Sequence, residues 1–308
     1  MKNFKDLLSL FIICLMSISL FVQQGSKTKA SKKLYEKGSS VKLINATAIN
    51  TSQLEFSPAF YQNGIVFATS RHKQGLRDKK INETFFELFY AESDGRGNPL
   101  KPKAFSVQMN SQLHEGPVTF NRDGSVIYFT RNNLKKGVRK ADAGGTVRLK
   151  IYEAQKGAYD WEGVKELPFN SNDYSACHPT LSADGNTLFF SSDMPGGMGG
   201  MDLWMVEKKG EEWSAPMNLG AEVNTDKNEV FPFIHSSNNL FFASNGYPGA
   251  GGLDLFMVDM SSKKWGQVTN LGEPFNSPVD DLGLILNPEG TMGYFASCLL
   301  YTSDAADE

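Results

Sequence analysis

The chain reads Ser191-Ser192-Asp193-Met194-Pro195-Gly196-Gly197-Met198-Gly199-Gly200-Met201-Asp202-Leu203-Trp204, and about fifty residues later Ala243-Ser244-Asn245-Gly246-Tyr247-Pro248-Gly249-Ala250-Gly251-Gly252-Leu253-Asp254-Leu255-Phe256. Both stretches run from small residues through a Gly-rich loop to an Asp, a Leu and an aromatic residue. Self-similarity at a fixed period is the mark of a repeat architecture. It directs the search for function away from a single catalytic motif and toward a platform of loops.

Working outward, five copies align on an apolar strand that ends in Phe and small residues, with Phe67, Phe129, Phe190, Phe242 and Phe295 spaced by 62, 61, 52 and 53. A turn precedes each: Gln62-Asn63-Gly64, Arg122-Asp123-Gly124, Ala183-Asp184-Gly185, Ser237-Asn238-Asn239 and Pro288-Glu289-Gly290. Asn-Gly and Asp-Gly supply the positive φ of tight hairpins, which gives Gly124 and Gly185 a structural role. Before four of the turns stands a proline, Pro58, Pro117, Pro179 or Pro232. Each is expected at a strand start, where no ladder donor is needed. The Phe strands, such as Leu188-Phe189-Phe190, are apolar on both faces, so both faces are covered. Four-stranded sheets stacked around an axis meet that requirement. The expected fold is therefore an all-β propeller of four-stranded blades, about five of them visible and the complete protein extending to six or more.

The repeats resemble TolB-like propeller units, relatives of WD-type blades. They are most similar to the periplasmic propeller regions of OmpA-family proteins from Bacteroidota. Asn110-Ser111-Gln112-Leu113-His114-Glu115-Gly116-Pro117, His178-Pro179-Thr180-Leu181-Ser182-Ala183-Asp184-Gly185 and the Pro-Gly-Gly-x-Gly-Gly-x-Asp loop carry this resemblance over residues 41–297. It implies a non-enzymatic scaffold in the periplasm, associated with the outer membrane. It also implies a C-terminal domain, lost here, that grips peptidoglycan. Such a motif is specific for fold and weak for function.

Residues 1–25 read as a secretory signal: Lys2 and Lys5 precede an uncharged apolar run from Leu7 to Val22. That run falls short of the roughly 20 residues that span a bilayer, and an uncleaved anchor is the alternative. Residues 26–40 read as a linker. The last eleven residues, from Cys298 to Glu308, break the repeat and resemble the translation of a sequencing adapter. Without their three acids, Asp304, Asp307 and Glu308, 31 basic residues face 31 acidic ones, so net charge points to no partner. With Cys14 in the signal and Cys298 in the tail, Cys177 remains alone and has no partner for an internal disulfide.

The Gly-rich loops lead into strands, whereas a phosphate-binding loop opens a helix. Asp202 and Asp254 follow those loops; each either accepts backbone N–H groups and fixes its loop or ligates Ca²⁺, which wants six to eight oxygens. His72, His114, His178 and His235 have no metal-ligand spacing, and Pro117 bars the helix that His114-Glu115 would need in a zinc protease. No Gly-x-Ser-x-Gly elbow occurs. Asp280 and Asp281, adjacent along a strand, point to opposite faces. No cofactor, metal or catalytic residue is expected, and an exported chain of balanced charge is not expected to bind nucleic acid.

One asymmetry remains. The loops after Phe67 and Phe129 are basic: Lys73, Arg77, Lys79 and Lys80 in the first, with Arg71 before them; Lys135, Lys136, Arg139 and Lys140 in the second, flanked by Arg131 and Arg148. Equivalent loops of neighbouring blades emerge on one face, so a basic patch for an anionic envelope partner is expected there, with a solvated loop as the alternative. The competing functional readings are the gating propeller of a prolyl-oligopeptidase-type serine hydrolase and a carbohydrate-binding propeller. The latter would use Trp204, Tyr247 and Phe256 if these are not blade core.

Overall fold

The computed structural model describes residues 17–24, 40–71, 77–78, 83–111, 113–135, 138–262 and 265–299. They form five antiparallel blade sheets, each lettered here a to d from the axis outward, and two separate two-stranded hairpins. Blade I holds Glu55–Tyr61, Gly64–Thr69, Glu87–Glu92 and Lys103–Ala104. Blade II holds Glu115–Phe120, Val126–Asn132, Leu149–Lys156 and Trp161–Glu166. Blade III holds Ala176–Leu181, Thr187–Ser192 and Asp202–Lys209, its fourth strand split into Glu212–Trp213 and Met217–Asn218. Blade IV holds Glu229–Ile234, Asn239–Ser244, Asp254–Asp259 and Thr269–Asn270.

Blade V departs from the sequence expectation. Its strands a and b are Asp281–Leu286 and Met292–Ser297, while c and d come from the other end of the chain: Ser17–Gln24 and Ser40–Asn45. The pairing runs from Ser17↔Ser297 to Val22↔Met292. The fifth unit is therefore not left with an unpaired edge, and the ring closes at five blades: strand a of blade V packs against strand a of blade I. An open edge exposes a row of backbone donors and acceptors, and an apolar extended segment satisfies it. Ser17–Gln24 overlaps the apolar run assigned above to an export signal.

Strand b shows why the units stack. Each repeat Phe packs against the preceding blade and the residue before it against the following one. Phe129 joins Val66 and Leu88 of blade I, whereas Tyr128 joins Leu188 and Phe190 of blade III. Phe242 meets Phe189 and Leu203 of blade III, whereas Phe241 meets Leu282 and Phe295 of blade V. Tyr294 reaches Ile65 and Phe67 of blade I and so closes the circle. Adjacent strand residues face opposite sides, so two consecutive large apolar residues glue a blade to both neighbours.

The prolines are not at strand starts. In every strand a, two residues oppose one on strand b. The ladder steps from Phe56↔Ala68 to Ala59↔Val66, and likewise in the other four blades. The first residue of each bulge has positive φ: Ser57, Gly116, His178, Phe231 and Gly283. The second is Pro58, Pro117, Pro179, Pro232 or, in blade V, Leu284. Proline is tolerated mid-strand because strand a is the inner edge of its sheet and a bulge needs no ladder donor.

Candidate functional site: the loop face and the axial channel

The b–c loops and the links from each strand d to the next strand a lie at one end of the ring. Five asparagines hold that end together. Asn50, Asn110, Asn170, Asn224 and Asn276 each use Oδ1 to accept the N–H, and Nδ2 to donate to the carbonyl, of one strand-c residue. Those residues are Ile18, Leu88, Ile151, Leu203 and Leu255, and the distances run from 2.7 to 3.2 Å. The sequence reading missed this device. Its signal was present: each of the five asparagines is followed by Ser or Thr.

That Ser or Thr serves a second device. Thr51, Ser111, Thr225 and Ser277 donate their hydroxyls to carboxylates at the first position of strand a, namely Glu55, Glu115, Glu229 and Asp281. All four carboxylates are buried. In blade III, Ser175 stands just before strand a, and its N–H donates to Asp193 at 2.6 Å. Burial pushes the Glu115 carboxyl up to about 7 against the pull of the Arg131 guanidinium and the Ser111 hydroxyl. Burial likewise raises Asp281 to about 6, opposed by its hydroxyl and backbone donors.

Asp202 accepts the Met198 and Gly199 N–H groups and the Asn218 amide, and Asp254 accepts those of Ala250 and Gly251. The Gly-rich loops then zip onto the next blade. Gly200 N–H donates to the Lys227 carbonyl at 2.6 Å, and Leu253 N–H to Asp280 Oδ1 at 2.7 Å. A Cβ on Gly199 would stand 2.3 Å from the Lys227 carbonyl oxygen, and one on Gly251 2.2 Å from that of Val279. These glycines are required by backbone approach. Gly124 and Gly185 hold positive φ in their turns at the opposite end. Among the described residues, no three His, Cys, Asp or Glu side chains gather to hold a metal ion.

Of the expected basic patch, Lys73, Lys79, Lys80 and Lys136 lie outside the described residues. Arg77 belongs to a short hairpin of Arg77–Asp78 with Glu83–Thr84, and Lys135 and Arg139 to one of Leu134–Lys135 with Val138–Arg139. Lys140 is exposed. The flanking arginines are not part of a free patch. Arg71 lies 3.2 Å from Glu55, Arg131 3.2 Å from Glu115, and Arg148 2.7 Å from Asp142 and 2.9 Å from Asp193. A buried carboxylate demands a nearby cation or donors, and these arginines answer that demand.

The four bulge prolines, far apart in sequence, meet around the axis. They line a cavity of about 190 Å³ with Ser57, Thr119, His178, Thr180, Phe231 and Leu284, among others. The His178 ring stacks on Phe231 with centroids 3.9 Å apart, its Nδ1 accepts the Phe231 N–H at 3.3 Å, and burial lowers its pKa to about 3. His114 accepts the Phe86 N–H and meets Asp78, while His235 meets Ser237 and the Asn287 carbonyl. Trp204 and Phe256 are buried in the inter-blade core and Tyr247 packs beside them, its hydroxyl donating to the Val223 carbonyl. Cys177 and Cys298 are both buried; residues 300–308 lie outside the described part.

No protein-family model matches the chain, and no curated protein matches its sequence. The chain is similar to solved structures at low identity. TolB from Acinetobacter baumannii is 13% identical with a TM-score of 0.45; the match covers 91% of this chain, which spans 64% of that one. A putative TolB from Agrobacterium tumefaciens is 14% identical, with 92% and 98% of the two chains covered and a TM-score of 0.46. An α-L-arabinofuranosidase from Lactobacillus brevis is 14% identical, with 77% and 80% covered and a TM-score of 0.48.

Proposed function

We propose that this chain is a non-enzymatic interaction scaffold of a bacterial envelope, exported to the periplasm and associated with the outer membrane. It binds an anionic envelope partner through its loop face. The observation that carries this reading is the preorganisation of that face. Asp202, Asp254 and the clamping asparagines Asn110, Asn170, Asn224 and Asn276 fix the loops of blades III and IV and the inter-blade links before any partner arrives, and a surface already ordered loses little entropy on binding. The b–c hairpins of blades I and II stem from the same end, and the sequence puts Lys73, Arg77, Lys79, Lys80, Lys135, Lys136, Arg139 and Lys140 in or beside them. The repeat motifs support a place in an OmpA-family protein whose further domain holds peptidoglycan.

The test is cosedimentation of the purified protein with isolated peptidoglycan sacculi and with vesicles containing lipopolysaccharide. Reversing Lys135, Lys136, Arg139 and Lys140 to Glu is expected to weaken binding at least tenfold in low salt, and 0.5 M salt is expected to weaken the wild type similarly. Binding that ignores both changes, or no binding to either material, would overturn the reading.

A further inference from the structure

The axial cavity carries chemistry that stability does not explain. Ser57 Oγ opens onto it, is 5% exposed as a residue, and has no hydrogen-bond partner among the described residues. His178, 6% exposed, stands at the same bulge level on the inner strand of blade III, two blades along the ring. Its Nδ1 accepts the Phe231 N–H, so its proton resides on Nε2. Thr119 and Thr180 accept the N–H groups of Leu181 and Ile234, both at 3.2 Å, so they are already engaged. The rest of the lining is apolar: four prolines, Val118, Leu181, Leu284, Ile285 and the rings of Phe60, Phe120 and Phe233. No lining residue carries a charge.

A buried donor left without an acceptor costs about 1–3 kcal/mol, so such groups in a cavity mark a place for something that accepts. The lack of any cation, and a histidine held neutral, exclude an anionic head. A cavity of about 150 Å³ lined by apolar side chains accommodates benzene, so one of this size takes roughly six to eight heavy atoms. We propose that the axial cavity binds a small neutral molecule with an apolar, ring-sized body and one hydrogen-bond-accepting head, of the phenol class. The head lies at Ser57, and the body lies among the prolines toward the turn end. This site is independent of the loop face and survives failure of the scaffold reading.

The experiment titrates the full chain with phenol, benzene and benzoate, followed by calorimetry and by backbone amide shifts of the inner strands. Phenol is expected to bind at least fivefold tighter than benzene, and benzoate not measurably. Ser57→Ala is expected to remove about fivefold of the phenol affinity, leaving benzene unchanged, as loss of one neutral hydrogen bond requires. Equal affinity for phenol and benzene, an unchanged phenol affinity in Ser57→Ala, or no binding of either molecule because the cavity holds water only, each overturns the proposal.

Discussion

The side-chain amide of Asn50 grips the backbone of Ile18, accepting its N–H and donating to its carbonyl, both at 2.9 Å. The same grip joins Asn224 to Leu203 and Asn276 to Leu255. Asn224→Ala therefore leaves a buried backbone pair without its partners. It is expected to cost about 2–4 kcal/mol in chemical denaturation. Asn50→Ala is expected to cost a comparable amount only while Ser17–Gln24 is seated. In a form lacking residues 1–25, the Asn50 substitution should be nearly silent. Equal losses in both forms would mean that another segment takes the place of Ser17–Gln24.

The edge of Met292–Ser297 gives a second expectation. Removing residues 1–25 takes away strand c of blade V and exposes a row of backbone groups on an apolar strand. Such edges pair with other chains. The shortened protein is expected to sediment as concentration-dependent oligomers where the full chain is monomeric. A monomer at high concentration would mean that another segment has entered the seat.

Gly251→Ala tests the loop zipper. The added methyl meets the Val279 carbonyl oxygen at 2.2 Å, and a backbone atom cannot swing aside as a side-chain tip does. The loop must lift, breaking the bond from Leu253 to Asp280. Faster hydrogen exchange at Leu253, with about 1–3 kcal/mol lost globally, is the expected result. An unchanged Leu253 exchange rate would contradict the packing described.

Two buried groups pull the pH dependence of stability in opposite directions. His178 titrates near 3 in the fold against 6.5 in the unfolded chain, so the unfolded state binds more protons between those values and stability falls as pH drops below about 6.5. Asp281 titrates near 6 against 3.8, so the folded state binds more protons in that window and stability falls as pH rises from about 4 to 6. His178→Asn, which suits the positive φ, is expected to flatten the acid-side decline. Asp281→Asn is expected to reduce the opposing slope, leaving the part that the raised Glu115 carboxyl contributes. Denaturant midpoints from pH 4 to 8 decide both, and parallel curves for the two variants would refute the assignment.

Much of the fold was legible because its signals are local. A Phe at each strand end, a tight turn before it and, in blades III and IV, a Gly-rich loop after it are written within some twenty residues, so unit, strand order and blade class follow from them. The roles of Asp202 and Asp254 were legible in the same way, since a carboxylate three or four residues past a Gly-rich loop meets that loop's own N–H groups. The patterning of Ser17–Gln24 carried two meanings: an uncharged apolar run suits both an export signal and a buried strand, and only its pairing with Met292–Ser297 gives it a place in the ring.

What the sequence by itself determined is the repeat and everything whose partners lie within one unit. What only the tertiary structure decided depends on residues forty-five or more positions apart meeting at the axis, across the closure or between blades. The closing of the ring at five blades, the gathering of Pro58, Pro117, Pro179 and Pro232 around one cavity, and the positive φ of Ser57, His178 and Phe231 are of this kind. So is the neutralisation of Arg148 by Asp193. Each arises because stacking five twisted sheets fixes distances that no local pattern encodes.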